Sequence, residues 1–368
     1  MGKKVTLKQI AELADVSLTT VHRVLNGKGG CSKEVEEKIV RIARERGYYV
    51  SPITPLQNTG PMHIALLFPL REKGAHFFLS RMLDGYLKCR DEVSQFNVVF
   101  QEFYIDKPNM EEAMEYMVRI LKQIYREQPV RYDGVVIYGL SITDEAEVWI
   151  NRIIGSGIKV VVLERSPQGL QDICSVEVND TLAGNLAGEM LSKCIHSTGT
   201  AIIFSQKFLG GEDPNGITCE KCLREYNPDL KVVQIPMDMS INQSDKILQI
   251  LKEYPDVIGV YATSARHTNS LLDAMEKADI HLQAIIGSEL FEESYRALQE
   301  RRLDAVIDKR PELIGYDALR LIFANLVNKE RLPISHKVTP RIVLRANSEL
   351  CFLAKEEENY YGKDNDFE

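Results

Sequence analysis

Between Leu7 and Ala14 the apolar residues Leu7, Ile10, Ala11, Leu13 and Ala14 recur at helical spacing, with Thr6 placed to cap the segment, so the pattern predicts a helix over residues 7 to 14. Asp15, Val16 and Ser17 interrupt it. Asp tolerates a left-handed backbone better than most residues, and Ser17 can cap a second helix over 18 to 25 in which Val21, Val24 and Leu25 face inward. After "NGKGGC", Ser32 caps a third helix over 33 to 46, with Val35, Ile39, Ile42 and Ala43 on one face and Gly47 as its stop. Three short helices with one tight corner form a helix-turn-helix pattern.

The stretch "SPITPLQNTGP", residues 51 to 61, holds three prolines and has no continuous apolar face, so it reads as a linker. Beyond it, short apolar runs alternate with amphipathic helical segments. The runs "HIALLFP", "NVVFQEFYI", "DGVVIYG", "KVVVLE", "GTAIIFS", "KVVQIPM", "VIGVYAT", "AIIGSE" and "DAVID" predict strands, and the β-α alternation predicts parallel, doubly wound sheets. About ten strands over this length point to two α/β subdomains rather than one. The acidic end "AKEEENYYGKDNDFE" reads as a mobile tail over 355 to 368.

Charge sharpens this division. Residues 1 to 60 carry ten Lys/Arg and six Asp/Glu, a balance of +4, and the remainder carries 35 and 47, a balance of −12; together these give the net −8 of the 368-residue chain. A basic head on an acidic body suggests that only the head meets a polyanion. With 44% apolar and 27% charged residues the chain reads as a folded protein with a sizeable core, without a membrane-spanning run or a secretory signal, so it is expected in the cytoplasm. The beginning "MGKKVT" has the Gly2 and Thr6 of a myristoylation signal, but Thr6 serves better as a cap. Seven cysteines, at 31, 89, 174, 194, 219, 222 and 351, read as reduced thiols, and the Cys219-Cys222 pair lacks partners at metal-ligand spacing. No phosphate loop, nucleophile elbow or metal cluster marks an enzyme, and no cofactor or metal is expected.

In the head, residues near the start of the second helix can reach base edges in a major groove. Leu18, Thr19, His22 and Arg23 face outward. Arg23 suits a guanine edge and Leu18 a thymine methyl, whereas Ser17, Thr20 and Asn26 suit phosphates. The alternative is that Leu18 and His22 are only exposed helix residues.

The order of residues goes further. "VTLKQIAELADVSLTTVHRVLNG" closely resembles the start of the lactose-repressor (LacI) family of bacterial transcription regulators, matching its pattern at Thr6, Leu7, Ile10, Ala11, Ala14, Val16, Ser17, Thr20, Val21, Arg23, Leu25 and Asn26. The resemblance places Thr6 and Leu7 among the DNA-contacting positions and makes Leu18 and Thr19 the variable specificity pair. Gln9, Asp15 and His22 stand where the family has an acidic residue, glycine and serine. Of these, His22 bears on base preference. The family's hinge helix, whose leucine wedges into the minor groove, corresponds to 51 to 60 here. Leu56 is the counterpart of that leucine, but Pro55 disfavours a helix at Thr54 and removes one N–H.

By the same resemblance the fold is α/β. A small all-α helix-turn-helix head over 1 to 50 is followed by a two-lobed, periplasmic-binding-protein-like body over 62 to 354, whose lobes are interleaved as about 62 to 176 plus 310 to 336, and 177 to 309 plus 337 to 354. Ligand would sit between the lobes at the carboxyl ends of strands. Phe77 and Phe78 resemble the family's sugar-stacking aromatics, with a core role as the alternative. Glu164 and Arg165 end the strand "VLER" where the family often has Asp-Arg, with a surface ion pair as the alternative; Glu289 ends "GSE", and Lys309 stands at a polar hinge position. The family's second-lobe arginine is missing around Asp213 to Asn215, and its Asn-Asp is replaced by Thr263 and Ser264, with Arg266 and His267 close behind. These features imply a homodimeric regulator that binds a palindromic operator on double-stranded DNA under control of a small effector, a monosaccharide or related polyol. The alternatives are a non-sugar effector for the same architecture and a solute receptor without a regulatory role.

Overall fold

The computed structural model describes residues 7–25, 31–45, 61–69, 77–107, 109–126, 132–139, 142–164, 169–207, 212–238, 242–278 and 280–359. In the head, α1 (Leu7–Ala14), α2 (Leu18–Leu25) and α3 (Lys33–Glu45) pack around Ile10, Ala11, Ala14, Val21, Val24 and Ile39. The corner is built as its residues require. Asp15 takes the left-handed conformation at φ 58°, the Val16 N–H donates to the Ala11 carbonyl at 3.1 Å, and the Thr20 N–H donates to Ser17 Oγ at 3.0 Å, which caps α2. The expected Thr6 cap, the Gly47 stop and the whole 51 to 60 linker with Pro55 lie outside the described residues.

The body runs β1 (Met62–Pro69), α4 (Phe77–Val93), β2 (Val98–Ile105), α5 (Met110–Arg126), β3 (Gly134–Tyr138), α6 (Asp144–Gly155), β4 (Lys159–Leu163) and β5 (Cys174–Val178). It continues through α7 (Asp180–Cys194), β6 (Thr200–Gln206), α8 (Pro214–Tyr226), β7 (Lys231–Met237), α9 (Ser244–Glu253), β8 (Val257–Ala262) and α10 (Ala265–Ala278). The last elements are β9 (Ala284–Ser288), α11 (Glu292–Gln299), β10 (Ala305–Asp308), α12 (Pro311–Asn328), β11 (Ser335–Val338), β12 (Arg341–Val343) and α13 (Arg345–Asn359).

Two six-stranded sheets result, ordered β11-β5-β4-β3-β1-β2 and β12-β10-β9-β8-β6-β7. Every pairing is parallel except that of β12 with β10. The chain passes between the sheets after β5, after β10 and between β11 and β12. All nine predicted strands form; the central ones are buried on both faces, as parallel strands between helices must be, whereas the edge strands β2 and β7 alternate between buried and exposed positions. One face of the first sheet packs on α4 and α12 through Met82, Tyr86, Ile314 and Phe323, and the other on α5 and α6 through Met117, Leu121, Ile150 and Ile153. In the second sheet α9, α10 and α11 cover one face with Ile247, Leu271 and Leu298, and α7 and α8 cover the other with Ala187, Leu191 and Leu223.

Three details differ from the sequence reading. The strand "CSVEV" went unrecognised because its polar residues break the apolar run. The segment "HKVTPRIVLRANSEL", in which no strand was predicted, supplies β11 to one sheet, β12 to the other, and then α13. That helix continues to Asn359, so residues 355 to 359 of the expected mobile tail are helical; 360 to 368 lie outside the described residues.

The α4–α12 crossing depends on two glycines. A Cβ on Gly85 would lie 1.8 Å from the Glu312 carbonyl oxygen, and one on Gly315 would lie 1.8 Å from that of Met82. Neither neighbour is a side chain that can swing away, so any substituent forces the helices apart. Gly315→Ala is therefore expected to cost about 1–3 kcal/mol, measured as a lower denaturation midpoint; an unchanged midpoint would mean that the crossing is looser than these contacts indicate.

Candidate functional site

The head presents one face of α2. Leu18 is 50% exposed, Thr19 and Arg23 are exposed, and Val21 and Val24 on the opposite side are buried in the head's core. Ser17 is exposed, and its hydroxyl is 2.8 Å from that of Thr20. Leu7, expected at the DNA, is half-buried and packs against the head's core, which leaves its side chain a structural task. Thr6, Asn26, Leu56 and the side chain of His22 lie outside the described residues.

In the body, the ionisable residues gather where strands end. Glu164 directly follows β4 and Glu289 directly follows β9, equivalent strands of the two sheets. Both residues are left-handed, at φ 66° and 68°, and each is held by a backbone hydrogen bond: Glu164 N–H to the Val176 carbonyl at 2.8 Å, and Glu289 N–H to that of Ile307 at 3.0 Å. Such a conformation costs a non-glycine residue on the order of 1 kcal/mol or more and is concentrated at functional sites. Here it falls on the residue after equivalent strands of the two sheets.

Lys309 follows β10 and is buried, its Nζ donating to the Thr263 carbonyl at 2.8 Å. Burial pulls its pKa down, but Asp180, Glu289, Asp213 and Glu164 outweigh it, so the ammonium is held above its ordinary value. Burial pushes the Glu164 carboxyl up to about 8, with Asp180 adding to the rise and Lys309 opposing it. Glu164 Oε1 is buried without a hydrogen-bond partner among the described residues. Asp213 caps α8: its Oδ1 accepts from the Asn215 N–H at 3.1 Å, and its Oδ2 accepts from the Gln206 N–H at 3.0 Å and the Thr263 hydroxyl at 2.7 Å. Ser264 is buried, and its hydroxyl accepts from the His267 N–H at 3.3 Å at the start of α10. Burial lowers the His267 pKa, against the opposing pull of the Asp238 backbone and the Asp213 charge.

The aromatics divide. Phe77 meets Phe291 with centroids 5.5 Å apart, joining a residue that follows β1 to one that follows β9 and so bringing strand ends of the two sheets together. Phe78 instead packs against the core of the first sheet, its core alternative. The surface-ion-pair alternative for Glu164 does not fit its buried carboxyl, and Arg165 lies outside the described residues. Sequence reasoning missed Tyr138, Asp180 and Phe291. Tyr138 ends β3, and the charges of Glu164 and Arg266 both act on its phenol, whose pKa burial raises. The strand-end rule that found Glu164 would have found Tyr138 too, but Asp180 was hidden with the unrecognised β5. A shallow depression between α4 and α12 is lined by Arg81, Asp84, Gly85, Lys88, Glu312, Leu313 and Tyr316 and lies away from the strand ends. Among the described residues no group of His, Cys, Asp and Glu could hold a metal ion.

Residues 88–330 match the periplasmic binding protein domain, over half of the chain, and residues 6–51 match the bacterial regulatory proteins of the lacI family. This is a lacI-family chain with a periplasmic binding protein body. The lacI-family protein is 29% identical over 168 residues to the "Probable HTH-type transcriptional repressor ExuR" of Bacillus subtilis (strain 168); the match covers 44% of this chain and 43% of that repressor. Among solved structures, a putative LacI transcriptional regulator from Bacteroides fragilis superposes with a TM-score of 0.67 at 14% identity, over 79% of this chain and 99% of that one. GanP, a glucose-galactose binding protein from Geobacillus stearothermophilus, superposes with a TM-score of 0.62 at 22% identity, over 78% and 99%. At these identities the lacI-family body shares the fold of both. No helix among its described residues is long and apolar enough to cross a membrane.

Proposed function

We propose that this chain is a sequence-specific DNA-binding transcriptional regulator whose operator affinity is set by a small monosaccharide or related polyol bound between the lobes. The observation that carries the reading is the set of buried polar groups at the strand ends of both sheets, in a chain whose lacI-type head exposes Leu18, Thr19 and Arg23. Carboxylates, an ammonium and a phenol in a partly dry cleft match the paired donors and acceptors of sugar hydroxyls, and Phe77 with Phe291 offers apolar rings to C–H faces. The name of GanP as a sugar binder and that of ExuR as a repressor support the same reading. Arg165 belongs to the proposed site by its place beside Glu164, as does Ser264 by its place after β8. The protein acts in the cytoplasm, without catalysis. Effector binding changes DNA affinity only as far as it distinguishes two states of the body, and the coupling is reciprocal.

A mobility shift on the DNA upstream of the chain's own gene, with and without a panel of sugars, tests this reading: a specific shift altered by one sugar supports it, and no specific shift at any protein concentration rejects it. One short recognition helix contacts too few bases for useful specificity, so two copies related by a two-fold axis read a palindrome. Sedimentation is expected to show a dimer at micromolar concentration; monomer alone, with and without operator, would contradict this.

A further inference from the structure

The face of the first sheet covered by α5 and α6 carries a cluster that sugar sensing does not use. Trp149 of α6 packs partly on the core beneath it, and its ring gathers three cations: Arg152 Cζ lies 4.3 Å from the centroid, Lys122 Nζ 5.5 Å and Arg126 Cζ 5.8 Å. Tyr125 meets the same ring edge-on at 5.8 Å, and Arg119 lies over the Tyr116 ring at 4.8 Å. The carboxylates of the two helices stand in their early turns, at Glu111, Glu112 and Glu115 of α5 and Asp144, Glu145 and Glu147 of α6. Of these, Glu145 forms an ion pair with the cluster, through Lys122 at 2.8 Å. Among the described residues Arg119, Arg126 and Arg152 have no carboxylate within ion-pair distance.

Helix polarity favours cations in the last turns of a helix, but it does not require them to converge on one ring. Like charges drawn to a single ring repel one another, and Glu145, itself 62% exposed, answers only Lys122. Beside them Tyr125 and Val148 are 42% and 50% exposed. Tryptophan, tyrosine and arginine gathered in one exposed patch are the residue types that anchor protein interfaces. The phosphates of a nucleic acid would satisfy the arginines but leave Tyr125 and Val148 uncovered, whereas a protein segment can do both. We propose that this face docks a partner protein through an acidic segment that has apolar side chains among its carboxylates. The carboxylates engage the guanidiniums of Arg126 and Arg152, and the apolar groups cover Tyr125 and Val148. The rest of the body, with its balance of −12, repels such a segment and so directs it to this face. None of these residues belongs to the cleft, so the docking site stands whether or not the effector is a sugar.

Trp149 is the only tryptophan of the chain, so its emission reports on this face directly. The full-length protein is titrated with a short synthetic peptide in which glutamates flank a central Phe-Leu pair. A saturable change in emission with a Kd below about 1 mM is expected. Arg126→Glu should weaken it about tenfold or more, with Arg152→Glu as the second variant should the first fail to fold, and Lys221→Glu on α8 of the other lobe should leave it unchanged. No saturable change up to that concentration overturns the proposal. Equal weakening by Lys221→Glu overturns it as well, since the peptide would then be reading net charge rather than this face. So does equal binding of the same peptide with alanines in place of Phe-Leu, which would reduce the effect to ion exchange. A tighter response to duplex DNA of unrelated sequence would assign the face to nucleic acid instead. A response to a peptide of residues 356 to 368 that matches the probe's would assign it to the chain's own acidic end and reject a separate partner.

Discussion

Removal of residues 1 to 60 is expected to abolish specific operator binding, by a factor of about 10³ or more, and to leave a folded body that still binds its effector. The head's buried residues, Ile10, Ala11, Ala14, Val21, Val24 and Ile39, form a core of their own, and none of them belongs to the clusters that pack the sheets. Nor does the body contain a substitute for what is lost: the head carries the +4 balance and the body the −12, and phosphate neutralisation dominates affinity for DNA. Within the head, Arg23→Ala should cost about 1–3 kcal/mol and relax preference at one base pair per half-site. Mobility shift and effector calorimetry on the same truncated protein check both halves. Specific operator binding by the truncated protein would place the recognition surface elsewhere, and loss of effector binding would show that the head supports the body's fold.

Lys309→Met is expected to destabilise the body by about 3–5 kcal/mol at pH 8, since it removes a buried ammonium that the charges of Asp180, Glu289, Asp213 and Glu164 all favour. The pH dependence follows from the two shifts. Lys309 is a base held above its ordinary 10.5, so its stabilisation is complete below that value and is lost only as pH rises past the folded one; it operates throughout the neutral range. Glu164 is an acid whose folded value of about 8 stands above its ordinary 4.5. Its contribution is therefore full below about 4.5 and is lost as pH climbs through 8. Without Lys309 the ionised Glu164 loses the cation that favours its charge, so the variant's deficit should be smaller at pH 5 than at pH 8, and a second change, Glu164→Gln, should recover part of it at pH 8 only. Thermal melts at the two pH values decide. A deficit equal at both would assign Lys309 a packing role rather than an electrostatic one.

The parts of this molecule that follow from local chemistry could be read from the sequence. Asp15 and Ser17 specify the corner of the head by a left-handed residue and a cap, both visible in three letters, and the nine apolar runs needed only their own composition to be recognised as buried parallel strands. What escaped depends on partners distant in sequence. "CSVEV" is a strand because β4 and β11 flank it, and "SHKV" is one because β5 accepts it. Asp180 and Lys309 lie far apart along the chain, and nothing near either residue announces that one acts on the other. Phe78 shows the opposite limit: family likeness directed it toward a sugar, whereas the helix it begins turns it into the core.

The route of the chain also affects its synthesis. β11 is the edge strand that covers β5, and α12 is the helix locked against α4 by Gly85 and Gly315, yet both are encoded after the whole of the second sheet's parallel strands. On the ribosome the head can fold as soon as it emerges, but the first sheet stays open at β5 until Val338 has been made. A message truncated before that point yields the head fused to a first sheet whose β5 edge is bare, a surface that invites pairing with other chains.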